Sequence, residues 1–153
     1  MDTEAIDDLR QSYEQACLKV AEMRRVVDQA AETHRQRTFA RMRVSDEVKN
    51  ATDERGFAQT IIEEEFAQFL RGDFPDLCES YGRNCARAFT ANNAIQEAHD
   101  RLKEATAQQQ SARDILEQAE IHYKAAQHEQ AEAYRVLREA RDQRLTNEST
   151  VRP

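Results

Sequence analysis

The chain has 153 residues, with 23 alanines against three glycines, two prolines and no tryptophan, a charged fraction of 33% and a net charge of −7. Five breakers cannot supply the turns of a β-sandwich or an α/β enzyme of this length, for which about 7% glycine and about 5% proline are ordinary. The acidic balance argues against a nucleic-acid partner, which wants a basic face, and no run approaches the apolar length of a membrane span.

The first residues, MDTEAIDDLR, are acidic and lack the apolar segment of a signal peptide, so a cytoplasmic location is expected. Cys17, Cys78 and Cys85 are odd in number and show no CxxC spacing; they are expected to be reduced and to pack as small hydrophobes. From Ile6 onward, steps of three and four land on Ile6, Leu9, Tyr13, Ala16, Val20, Met23, Val27 and Ala30, a heptad seam. The same frame meets His34, Arg37 and Arg41, recovers at Val44, Val48 and Ala51, and continues through Arg55, Ala58, Ile62, Glu65 and Phe69. This predicts one long helix with a polar interruption, where Ser45 could cap a restarted helix.

Gly72-Asp73-Phe74-Pro75-Asp76 is the strongest breaker and lies near the midpoint. Gly72 suits the left-handed position after a helix end, and Pro75 suits the first turn of the next helix. In the second half alanine recurs every seventh residue at Ala91, Ala98, Ala105, Ala112, Ala119, Ala126, Ala133 and Ala140, alternating with Ile95, Leu102, Gln109, Leu116, Tyr123, Gln130 and Leu137. An alanine in every heptad lets a second backbone come close while the larger residue fills the space beside it. A single central turn enforces antiparallel pairing.

The predicted fold is therefore all-α, a long two-helix antiparallel coiled-coil hairpin. Arm one covers about residues 4–71, the turn 72–76 and arm two about 77–145, all within a single domain 1–145, and 146–153 form a frayed tail. Each arm is ~100 Å long at 1.5 Å per residue. With the turn near residue 74, facing residue numbers add to about 148, which brings Arg37 and Arg41 beside Gln109 as one polar layer that fixes register. The alternative is a compact four-helix bundle, refolded near residues 34–45 and 107–110. A hairpin that closes its own seam favours a monomer, with a dimer as the open alternative.

No arrangement for catalysis stands out. His34, His99, His122 and His128 are preceded three residues earlier by Ala31, Gln96, Ala119 and Ala125, so the Glu-x-x-His metal pattern of helical bundles is missing. There is no phosphate loop and no nucleophile–base pair, and no catalytic residue, cofactor or metal is expected. Charge is distributed unevenly instead. Residues 23–43 carry six arginines and two acids, and residues 57–80 carry six acids and one arginine. Five of the six phenylalanines fall within residues 57–89. Either these rings seal the end of the coiled coil, or they form an interaction knob, since aromatic anchors in a charged rim are what interfaces use. The candidate tip residues are Phe66, Phe69, Phe74, Asp76 and Tyr81. A second candidate surface is the basic stretch with Arg24, Arg25, Arg35 and Arg43, whose other reading is pairing with Glu104, Asp114 and Glu117 across the hairpin.

One long hairpin of this length, with a second arm over residues 98–144 ending in AEAYRVLREARDQR, resembles the central-stalk proteins of type III secretion and flagellar export, the YscO/FliJ family. The resemblance implies a non-catalytic stalk or adaptor, similar to the γ subunit of rotary ATPases. Its terminal half would enter a hexameric export ATPase ring and its turn would point to an export-gate component. The alternative function is a secretion chaperone or a self-assembling structural coiled-coil protein.

Overall fold

A computed structural model of the protein describes residues 3–72 and 77–150. Two helices, α1 (Thr3–Leu70) and α2 (Leu77–Thr150), form an antiparallel hairpin, and the described residues contain no strand. Phe74 and Asp76 of the expected turn lie outside the described residues. Both helices are rich in Ala, Gln, Glu and Arg, which lose little on entering a helix. They run unbroken through residues 34–45 and 107–110, so the chain does not refold into a compact four-helix bundle. Ser45 stays inside α1 and caps nothing. The second helix continues past residue 145, where the Thr146 hydroxyl donates to the Asp142 carbonyl at 2.9 Å.

The end of α1 is built as its glycine suggested. Gly72 has φ 85, the left-handed region that side chains with a Cβ avoid. The Arg71 and Gly72 amides donate back to the Gln68 and Phe69 carbonyls, each at 3.1 Å, satisfying acceptors that the last turn leaves open.

The chain divides into two compact units: Met1–His34 with Ala112–Pro153, and Arg35–Ser111. In the first unit Ile6, Ala30, Ala112, Ala119, Ala126, Leu137 and Ala140 are buried. The Tyr13 and Tyr134 rings meet at 5.6 Å, Gln130 donates to the Cys17 sulfur at 3.2 Å, and Lys19 pairs with Glu129 on the flank. In the second unit Ala58, Ala91, Ile95 and Ala98 are buried, and the flank carries Arg101–Glu47 at 3.0 Å and Arg87–Glu54. Lys19 with Glu129 and Glu47 with Arg101 match the expected register, each within its own unit.

Among the described residues no large side chain is fully buried. A two-helix seam is one layer thick, so only a methyl group fits wholly beneath the opposing helix, and Ala58 at 0% and Ala126 at 1% exposure do so. Longer seam residues such as Val20, Met23, Leu102 and Leu116 lie half-buried along it.

Candidate interaction surface

The helical frame that closes the seam also decides which side chains it leaves outside. Of the eight regularly spaced alanines, Ala91, Ala98, Ala112, Ala119, Ala126 and Ala140 are buried, and Ala105 and Ala133 are half-buried. These positions offer contact without chemistry: they set how closely the helices approach.

In the first arm the polar interruption is arranged differently from expectation. Arg37 and Arg41 are exposed, and Thr38 is half-buried in their place. Gln109 donates to the Thr38 hydroxyl at 3.0 Å, while Arg37 reaches sideways to the Gln108 side-chain oxygen Oε1 at 2.8 Å. The Gln109 N–H needs an acceptor, which a hydroxyl offers and a guanidinium lacks; nearer the turn Arg55 does lie half-buried in the seam, donating to the Asn92 side-chain oxygen at 3.5 Å. The heptad count pointed to Arg37, and only the adjacent threonine, small and able to accept, hinted at the substitution.

At the turn-proximal end of the second unit, Glu65 occupies a seam position. It accepts from the Ser80 hydroxyl and from the Asn84 amide at 3.3 and 3.4 Å. A carboxylate with these donors holds its place between the helices without a counter-charge. Beyond it, Phe66 and Phe69 stack with ring centroids 6.3 Å apart, yet remain 50% and 46% exposed. Leu70 is 69% exposed and Tyr81 is exposed beside them in the chain's turn-proximal segments. The nearby Cys85 thiol raises the Tyr81 hydroxyl above its usual range, first by repulsion between the ionised forms and then by a hydrogen bond. Phe57 is engaged by Arg87, whose guanidinium lies 5.3 Å above the ring while its Nε donates to Glu54. Facing numbers that add to about 148 put Arg87 opposite residue 61, about one turn from Phe57 and two from Glu54, so residue order carries no direct signal for this arrangement.

Arg24 and Arg25 are exposed in the first unit, and Arg35 and Arg43 are exposed in the second. Two of the acids expected to face this basic stretch are engaged within α2: Glu117 pairs with Arg113 at 2.9 Å, and Glu104 accepts from Gln108 at 3.1 Å. Near the end of the first unit, the Arg135 guanidinium lowers the Glu132 carboxyl from its ordinary range, chiefly by hydrogen bonding.

Among the described residues no group of three or more His, Cys, Asp or Glu side chains could hold a metal ion, and no helix is long and apolar enough to cross a membrane. What the described residues do present is an alanine seam, flanking ion pairs and half-exposed rings near an acidic segment. No family model, no curated protein and no solved structure matches the chain.

Proposed function

We propose that the chain is a non-catalytic coiled-coil interaction component, most concretely a stalk or adaptor of a type III secretion export ATPase complex that couples the ATPase to the export gate. The observation that supports it is the placement of Phe66 and Phe69 at the turn-proximal end, stacked and held by helix yet about half exposed. Apolar groups kept in water beside acids are surfaces for a partner. The first unit bears both chain ends and the exposed Arg24 and Arg25, and in this reading it contacts the ATPase ring. The second unit contacts the gate. The protein works in the cytoplasm at the periphery of the membrane apparatus, with no cofactor.

The test is calorimetric titration with the purified export ATPase and with the cytosolic part of the export gate from the same genome. Phe66→Ser combined with Phe69→Ser weakens gate binding by about tenfold or more, as loss of central apolar anchors does, and leaves ATPase binding unchanged. Arg24→Glu with Arg25→Glu does the reverse. Failure of the wild-type chain to bind either protein refutes the reading.

A further inference from the structure

We propose that a second copy of this chain docks antiparallel on the outer face of α1 in the second unit, with Gly56 on the twofold axis and Met42, Lys49, Glu63 and Leu70 as its contact residues. These five residues recur every seventh position, and all five are exposed. The seam of α1 repeats with the same period, through Val44, Val48, Ala51, Arg55, Ala58, Ile62 and Glu65, which are buried or half-buried. A stripe with the seam's own period stays on one side of the helix for its whole length, so Met42 through Leu70 form one outward line.

The chemistry of that line is its own complement. When two copies lie antiparallel about Gly56, a residue seven places before the axis faces one seven places after it. Lys49 then meets Glu63 of the second copy, and Glu63 meets its Lys49. Fourteen places out, Met42 meets Leu70, again twice. This is the isologous pairing that a twofold contact requires, and a foreign helix has no need of it. The flanking positions agree: Thr52 comes opposite Gln59, Asp53 opposite Thr60 and Asp46 opposite Ala67, so no like charges meet.

Three further observations converge on the same face. Glycine inside a helix is destabilising relative to alanine, and a Cβ built at Gly56 meets nothing within 4 Å, so no contact within the chain calls for a glycine there. A close crossing of two helices on the axis does. Met42 is 52% and Leu70 69% exposed. Among the described residues neither Lys49 nor Glu63 forms an ion pair, whereas Glu47 and Glu54 of the same helix pair with α2. The dimer does not depend on the export reading and can be tested apart from it.

Sedimentation velocity of the full chain at concentrations up to about 200 μM is expected to show a dimer of the 17.7 kDa chain. Lys49→Glu alone sets glutamate against Glu63 twice, and Glu63→Lys alone sets lysine against Lys49 twice. Each single variant weakens association by about tenfold or more, from two attractive pairs made repulsive. Mixing the two single variants one to one restores both pairs and gives a heterodimer, and the double variant with both changes dimerises again. Circular dichroism shows all variants equally helical, since both sites are exposed. A wild-type monomer throughout this range, single variants that still dimerise, or failure of both the mixture and the double variant to recover would each overturn the proposal.

Discussion

Alanine at position 72 and alanine at position 82 should shift stability in opposite directions, although both changes add the same methyl group to an uncrowded glycine. A Cβ built at Gly72 or at Gly82 meets nothing within 4 Å, so neither change creates a clash and only the backbone decides. Gly72 has φ 85, where an L-residue is disfavoured by about 1–2 kcal/mol. Alanine also restricts the unfolded chain, which offsets about 0.4–1 kcal/mol. The net expectation for Gly72→Ala is a loss of about 1 kcal/mol. Gly82 lies inside α2, where alanine is favoured over glycine by about 1 kcal/mol, so Gly82→Ala should stabilise by that amount. Both residues belong to the unit Arg35–Ser111 and report on the same structure. Urea denaturation followed by circular dichroism at 222 nm, the helical band, reads both; with a slope of about 2 kcal/mol per molar, each midpoint moves by about 0.5 M, in opposite directions. If Gly72→Ala stabilised the protein, residue 72 would not be the left-handed cap of α1. If Gly82→Ala destabilised it, another segment would approach α2 too closely at that point to admit a methyl group.

Two other expectations follow from the seam and the flank. Ala98 is 2% exposed, and Ala98→Leu must push the two helices of its unit apart, lowering stability by about 1–3 kcal/mol in the same denaturation assay; an unchanged midpoint would mean that the alanine positions do not limit helix approach. Arg135 holds Glu132 below the ordinary carboxylate range, first by hydrogen bonding and also by charge, so Arg135→Gln should raise the Glu132 titration midpoint measured by carbon-detected NMR. The sign for stability follows from linkage: a lowered folded-state value contributes stability above the unfolded carboxylate's value, and the contribution disappears as pH falls through the folded-state value. Both groups are at the surface, so the effect on unfolding is small while the NMR shift is direct. A Glu132 titration unaffected by the substitution would show that the two side chains do not interact in solution.

The end of α1 and the seam could be read from residue order because each has a local cause, whereas α2 continues past residue 145, where its apolar pattern stops. Gly72 is needed where the chain must turn left-handed, and alanine at every seventh position keeps one face of α2 thin over its length. The antiparallel register followed from the location of the turn, and Lys19 with Glu129 and Glu47 with Arg101 lie where it predicts. The polar layer was harder to place. Arg37 occupies the heptad position, but the half-buried partner of Gln109 is Thr38, one residue further along. Spacing alone treats the two as neighbours on a wheel, whereas the Gln109 N–H needs an acceptor, which a hydroxyl offers and a guanidinium lacks.

Composition ruled out a fold needing many turns, and heptad spacing with few breakers determined two long helices joined near Gly72. Those are properties of the chain itself, carried by backbone freedom and by a period of apolar groups. Three outcomes depended on the second helix being present. It brought Thr38 rather than Arg37 to Gln109, drew Phe57 under Arg87, and closed on the alanine methyls while leaving Phe66, Phe69 and Leu70 in water. Each depends on what the opposite helix offers at one level of the seam: an amide, a guanidinium, or too thin a layer to cover a ring. The spacing of the alanines and the glycine at 72 specify the hairpin, and the rotation of each helix against the other selects which side chains stay in water.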